Sequence, residues 1–188
     1  MSNKDIALSY LRQGLSVIPL KSPSMVSSNL PQQEFIRQCK MPLVKWKEFQ
    51  SRLPTEEEVA GWFDQWPYAN ICIVTGKVSG IVVFDLDSEH AIQYAEDEGG
   101  FPDSPAVRTG KGRHVYMRYP GFEVRNDVRK ELDIDIRADG GYVAARSFAI
   151  GHTAGSADLI SSSSIIADSL RAILKPSAET APFQTSIK

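Results

Sequence analysis

Two aspartates separated by one leucine, Asp85 and Asp87, end the apolar run Val82-Val83-Phe84. On an extended strand, a spacing of two puts both carboxylates on one face. Charges that close repel, and one tends to keep its proton unless a cation lies between them. A divalent cation removes the conflict. Magnesium in particular is held by one or two carboxylates together with substrate phosphates. The same residues also suit a helix start, with Asp87 or Ser88 as the cap and Asp85 in solvent. On these residues alone the two readings stand level.

A second acidic set lies in LDIDIRADGG, where Asp133, Asp135 and Arg137 alternate with Ile134 and Ile136. As a strand, this predicts three charged side chains on one face above two packed isoleucines. Such a row is most often a solvated surface. It also suits the floor of a metal and phosphate site, with carboxylates for the metal and a guanidinium for phosphate oxygens. Spacing does not choose between Asp133 and Asp135. A third set is RTGKGRHVYMR. Gly110 and Gly112 free a tight turn, with Lys111, Arg113 and His114 on or beside it. The stretch lacks G-x-x-x-x-G-K-[ST] and is not an ATPase P-loop. A basic, glycine-rich turn still offers backbone N–H groups and cations to a triphosphate.

These residues need elements to hold them. The spacing predicts a helix over residues 4–13, capped by Asn3, and then a strand in LSVIPL. Residues 21–33, rich in Ser, Pro and Gln, read as a loop. Thr55 and Glu58 form a capping-box pattern opening a helix with Val59, Trp62, Phe63 and Trp66 on one face, stopped by Pro67. NICIVTG and GIVVFDLD read as two strands joined in a hairpin, with a helix over residues 88–98 after them. AVRTG and HVYMRY flank the GKGR turn, and LDIDIR and YVAA form a further pair around ADGG. A Ser-rich segment and one closing helix, residues 165–174, precede a tail. Strands clustered between helices make this an α+β chain without a doubly wound G-x-G-x-x-G turn.

Composition sets limits. The chain has 188 residues, 42% hydrophobic and 23% charged, with a net charge of −2. No apolar run approaches the ~20 residues that span a bilayer, and the N-terminus has no secretory h-region. The expectation is a cytoplasmic protein without a membrane partner. Cys39 and Cys72 are isolated, so neither a disulfide framework nor a zinc ribbon is indicated. A protein relying on strong non-specific nucleic-acid binding is usually basic. Here the cations gather instead in one stretch, Arg108 to Arg137, with Glu123, Asp127 and Glu131 among them.

Taken in order, these motifs resemble the bifunctional primase/polymerase (prim-pol) domain of the archaeo-eukaryotic primase superfamily. Gly14-Leu15-Ser16-Val17-Ile18-Pro19-Leu20 matches its early G-x-x-V-x-P-L. Lys40-Met41-Pro42 with Trp46 matches its K-x-P and tryptophan, and Asn70 to Gly76 its N-I-x-x-x-T-G. The hhhDxD motif is Val82 to Asp87, the T-x-x-G-x-H turn is Thr109 to His114, and hDhR is Ile134 to Arg137, followed by Gly140-Gly141-Tyr142. His152 and Gly155 match a late histidine before a glycine. One departure stands out: Ala145-Arg146-Ser147 replaces the usual A-P-P-S beside the nucleotide pocket.

The resemblance implies a two-lobed primase/polymerase fold, an N-terminal α/β module packed on a catalytic module like the RNA-recognition fold. It would span residues 1–155, with the Ser-rich segment and closing helix at 156–175 and a linker or tail at 176–188. It implies an enzyme, a DNA-directed nucleotidyltransferase. Asp85, Asp87 and Asp135 would bind two Mg²⁺ or Mn²⁺ ions, and between Asp133 and Asp135 the family motif selects Asp135. His114 would contact the triphosphate with Lys111, Arg113 and Arg137, and Arg108, Arg146 and His152 are further candidates. Substrates would be NTP or dNTP, a single-stranded DNA template and a primer strand. The setting would be replication of plasmid, phage or mobile-element DNA, or a defence or repair system, beside a fused or associated helicase or similar module. Two rivals remain: a non-catalytic nucleic-acid-binding replication-initiator module, and a DxD phosphatase of the haloacid dehalogenase type. The second is weakened because Glu89 stands where Thr or Val is usual.

Overall fold

Ser2 opens the first helix, α1 (Asn3–Arg12): its hydroxyl accepts from the Asp5 N–H, and the Asp5 carboxylate accepts from the Ser2 N–H. This reciprocal cap starts the helix one residue before the expected position, so Asn3 is inside it and not its cap. The computed structural model describes residues 2–101 and 104–145. The expectations at Arg146 and His152, the Ser-rich segment, the closing helix and the tail lie outside the described residues.

Strand β1 (Ser16–Leu20) follows, then helix α2 (Gln32–Cys39), helix α3 (Glu56–Gln65) and strand β2 (Asn70–Val74). Thr55 and Glu58 form the expected capping box on α3. Strand β3 (Ile81–Leu86), helix α4 (Glu89–Asp97), strands β4 (Ala106–Arg108), β5 (Arg113–Arg118), β6 (Asp127–Arg129), β7 (Ile134–Arg137) and β8 (Tyr142–Ala144) complete the order. The α+β expectation holds: two antiparallel sheets and four α-helices among the described residues. Sheet A runs β1-β2-β8 and sheet B runs β4-β5-β3-β7-β6. No helix among the described residues is long and apolar enough to cross a membrane.

The two expected strand pairs around short turns both separate. β2 lies in sheet A and β3 in sheet B, joined by a single bridge between Gly76 and Ile81. β7 and β8 likewise part, one to each sheet. The reason is edge occupancy: β2 is flanked by β1 and β8, and β3 by β5 and β7, so neither has an edge left for a hairpin partner. Only β4 and β5 pair as expected. The two crossings between sheets run side by side. The Thr75 N–H donates to the Gly141 carbonyl at 3.0 Å, the Thr75 hydroxyl to the Ala138 carbonyl at 2.8 Å, and the Lys77 N–H to Asp139 Oδ1 at 2.9 Å. Gly76 has a φ of +93°, and a Cβ there would overlap Asp139, so the close approach requires glycine.

Packing divides sheet B by face. Val82, Phe84, Leu86, Val115, Met117, Ile134 and Ile136 pack under Ala91, Ile92 and Ala95 of α4. On the opposite face, Val83 and Tyr116 join one core with α1, α3 and the inner residues of sheet A, among them Val17, Ile71 and Ile73. The outer face of sheet A (Ile18, Leu20, Cys72, Val74) packs on Phe49 and Trp46. Pro19 sits in an edge strand, where its missing N–H does least harm. Its carbonyl accepts from the Leu43 N–H, so the segment after α2 covers that edge.

Candidate active site

The face of sheet B that meets α1 and sheet A turns polar towards one end of its strands. Asp85 on β3 stands directly opposite His114 on β5 and Asp135 on β7. Cross-strand partners share a face, so the three side chains form one row across the middle of the sheet. The next row, Tyr116–Val83–Arg137, is half apolar and anchors the first in the core. His114 Nε2 lies 3.1 Å from Asp85 Oδ1, and both side chains are largely buried. That oxygen nevertheless has no aligned hydrogen-bond donor, so the histidine approaches without saturating it. Asp135 accepts a hydrogen bond from the Arg137 guanidinium two residues along.

Asp87 lies just past the end of β3, where its N–H donates to the Asp133 carbonyl at 2.9 Å. The helix-cap question resolves on Ser88, whose hydroxyl accepts from the Ala91 N–H. Asp87 is thereby left available at the rim. Partial burial, then the charges of Asp85 and Asp135, raise its carboxyl above the ordinary value; the Lys40 and Lys111 ammoniums pull the other way. Asp133 leaves the row: its backbone is left-handed, with φ +54°, its side chain is exposed, and β7 begins only at Ile134. The expected alternation of Asp133 with Asp135 is broken by that one residue.

The Thr109–Gly112 turn is tied by three hydrogen bonds. The Thr109 hydroxyl accepts from the Gly112 N–H at 2.9 Å and the Lys111 N–H at 3.4 Å, and the Thr109 N–H donates to the Gly112 carbonyl. A Cβ on Gly112 would overlap the Leu86 carbonyl oxygen, so this glycine lets the turn lie against the end of β3. Lys111 is carried exposed on that turn, near Asp87. Arg113 is not brought to the row. It follows the opposite parity from His114, faces α4 and approaches Glu96 at 3.8 Å. Arg108, the cross-strand partner of Arg113, shares that far side. The cavity bordered by Arg113, Glu96, Phe101 and Leu86 is likewise on the α4 face, away from the carboxylates.

Among the described residues, no group of three or more His, Cys, Asp or Glu side chains is gathered closely enough to hold a metal ion as it stands. The donor chemistry nonetheless suits a hard divalent cation: Asp85, Asp87 and Asp135 offer only carboxylate oxygens, and one of them is a buried oxygen without a hydrogen bond. Residues 7–161 match the family described as bifunctional DNA primase/polymerase, N-terminal. The chain belongs to that family. No curated protein matches it. Membership points to DNA primase/polymerase-type function, with DNA and nucleotides as substrates, and removes the ground for the phosphatase reading.

Two residues beside the candidate site had no assigned role in the sequence. Lys40, at the C-terminus of α2, bears on Asp87, and the Tyr142 hydroxyl donates to the Lys40 carbonyl at 3.0 Å. Lys40 belongs to the K-x-P motif, but a motif letter carries no spatial address. Tyr116, by contrast, is buried next to His114, and burial pushes its hydroxyl well above the usual tyrosine range.

Proposed function

We propose that this prim-pol domain performs template-directed nucleotidyl transfer onto a 3′-hydroxyl, using NTP or dNTP. The observation that carries the reading is the row His114–Asp85–Asp135 in register across three strands, with Asp87 at its open end. Asp85, Asp87 and Asp135 would hold the divalent ions, Mg²⁺ or Mn²⁺. When bound, such ions supply positive charge that acidifies the attacking hydroxyl and stabilises the pyrophosphate leaving group.

The protein's own groups do the rest. His114, held beside Asp85, presents its ring at the floor of the site and contacts the triphosphate. Lys111 and the Thr109–Gly112 turn add an ammonium and backbone N–H groups to the same phosphates. Arg137 has two roles in sequence: it pairs with Asp135 until an ion takes its place there, and its fork-shaped guanidinium then offers donors to phosphate oxygens. Positioned charge of this kind supplies most of the acceleration in phosphoryl and nucleotidyl transfer. Asp85, largely buried, is fixed in the row by the strands paired on both sides of it.

A net charge of −2 leaves non-specific DNA affinity weak. A fused or associated helicase or similar module would supply it, in plasmid, phage or mobile-element replication or a defence or repair system. The engagement of Asp135 by Arg137 favours one rival, a nucleic-acid-binding module that kept the fold and lost the chemistry. One experiment separates them. The chain is incubated with single-stranded template, labelled ribo- and deoxyribonucleotides and Mg²⁺ or Mn²⁺, with and without primer. Metal-dependent, template-directed incorporation is the expected result. Gel-shift binding of the template without incorporation in any metal would overturn it.

A further inference from the structure

The row that carries the carboxylates does not end at Asp135. Val128 on β6 is the cross-strand partner of Asp135, so it projects from the same face. Each strand of sheet B thus contributes one residue to the row: Val107, His114, Asp85, Asp135 and Val128. The two ends differ. At the β4 end, Val107 packs against the core shared with α1 and α3. Exposure then rises along the row, from 13% for the His114 side chain to 18% for Asp85 and 22% for Asp135. Val128, on the last strand of the sheet, is 52% exposed.

The neighbours of Val128 on β6 have the opposite parity. Asp127 and Arg129 stand opposite Ile136 and Ile134, on the α4 face, and Arg129 Nε donates to Asp127 Oδ2 at 2.6 Å. The one side chain that β6 presents on the carboxylate face is therefore apolar and branched. Directly opposed residues of this kind have Cβ atoms about 4.5–5.5 Å apart, so Val128 adjoins whatever Asp135 holds.

The chemistry gives the row a direction. In transfer at a phosphate, the attacking and leaving oxygens lie roughly in line. His114 on β5 and the Thr109–Gly112 turn with Lys111, between β4 and β5, put cations on one side of the carboxylates, which suits the pyrophosphate. The attacking 3′-hydroxyl then approaches from the other side, across β6. We infer that Val128 packs against the sugar and base of the primer's 3′-terminal nucleotide and so helps to place the attacking hydroxyl. Its branched methyls meet C–H and ring surfaces without offering the carboxylates a competing donor. The inference rests on the nucleotidyl-transfer reading for the direction of the row, but not for the place of Val128 in it.

The test compares Val128→Ala and Val128→Ile with Tyr68→Ala, which removes an exposed apolar side chain between α3 and β2. Four quantities are read: Kd for a fluorescein-labelled template carrying a primer with a recessed 3′ end, Kd for the same template without primer, Kd for dATP with Mg²⁺, and KM for the primed template. Val128→Ala is expected to raise the primed-template Kd and KM about three- to tenfold, the scale of a lost apolar contact of two methyl groups. The unprimed-template and dATP Kd values should stay at wild type, which also shows that the variant is folded. Val128→Ile should retain most of the primed-template affinity. Three results each overturn the inference: a change no larger than that of Tyr68→Ala, an equal loss on primed and unprimed template, or a loss on dATP in place of the primed template. If the wild-type chain incorporates nothing, the nucleotidyl-transfer reading fails instead, and the binding arms still decide the role of Val128.

Discussion

Asp85 and Asp135 face each other across adjacent antiparallel strands, one largely enclosed beside His114 and the other held by Arg137. Their backbones are fixed by the β3–β7 pairing, so replacing a carboxylate should leave the sheet intact. Asp85→Asn is expected to lower incorporation by at least about a thousandfold, the scale set by losing a central electrostatic contact. Thermal unfolding by circular dichroism should show a Tm no lower than wild type. Near-wild-type primer extension by this variant would mean that Asp85 holds nothing needed for the reaction.

Asp87 gives a pH signature. Burial and the neighbouring carboxylates raise its carboxyl above 3.8, so the folded chain holds this proton more tightly than the unfolded chain. Its contribution to stability is complete below the ordinary value and is lost as pH rises through the raised one. Asp87→Asn should therefore be more stable than wild type near neutral pH, with the gap closing in acid below the ordinary aspartate value. Denaturant unfolding across that range measures it. Added Mn²⁺ should narrow the gap from the other side, by stabilising wild type more than the variant. A gap that does not change with pH would argue against the raised carboxyl.

The two glycines of the basic turn should behave differently. Gly112 abuts the Leu86 carbonyl, while a Cβ on Gly110 would meet open space. Gly112→Ala is expected to cost about 1–3 kcal/mol through forced displacement and to raise KM for nucleotide, because the turn carries Lys111. Gly110→Ala should stay within about 0.5 kcal/mol of wild type. Equal effects of the two substitutions would show that the turn does not depend on its contact with β3.

Arg137→Ala should separate metal affinity from nucleotide affinity. The substitution releases Asp135 from its guanidinium partner. Mn²⁺ binding, followed by electron paramagnetic resonance, is expected to tighten several-fold, while KM for nucleotide rises by about tenfold for the lost charged contact. Weaker binding of both ligands would mean that Arg137 holds Asp135 in its binding position and does not compete with the ion.

Local signals carried much of this site. Strand spacing singled out Asp85 with Asp87 and left Asp135 level with Asp133; the resemblance to the prim-pol motifs selected Asp135 and gave His114 its role, and the pairing of β3 with β5 and β7 sets the three on one face. Strand parity separates Arg113 from His114, since adjacent residues on a strand point to opposite faces; proximity in sequence hid that consequence. Other features were beyond local reading. Whether β2 pairs with β3 or each joins a different sheet depends on which distant strands occupy the edges. Asp133 followed the correct period until a left-handed backbone removed it. The end of α2 is tied down by a hydrogen bond from Tyr142 to the Lys40 carbonyl, from the other end of the domain, which no spacing encodes.

The twin crossings at Thr75–Lys77 and Ala138–Gly141 have a consequence for how the molecule is assembled. The chain leaves sheet A and returns to it at nearly the same point, so residues 81–137 form a closed excursion hung from their neighbour. Every strand partner within that excursion also lies within it. Emerging from the ribosome N-terminus first, the carboxylate-bearing sheet can complete its pairing while sheet A still lacks its third strand. The arrival of β8 then closes sheet A, and the hydroxyl of its Tyr142 ties down the end of α2 at the Lys40 carbonyl.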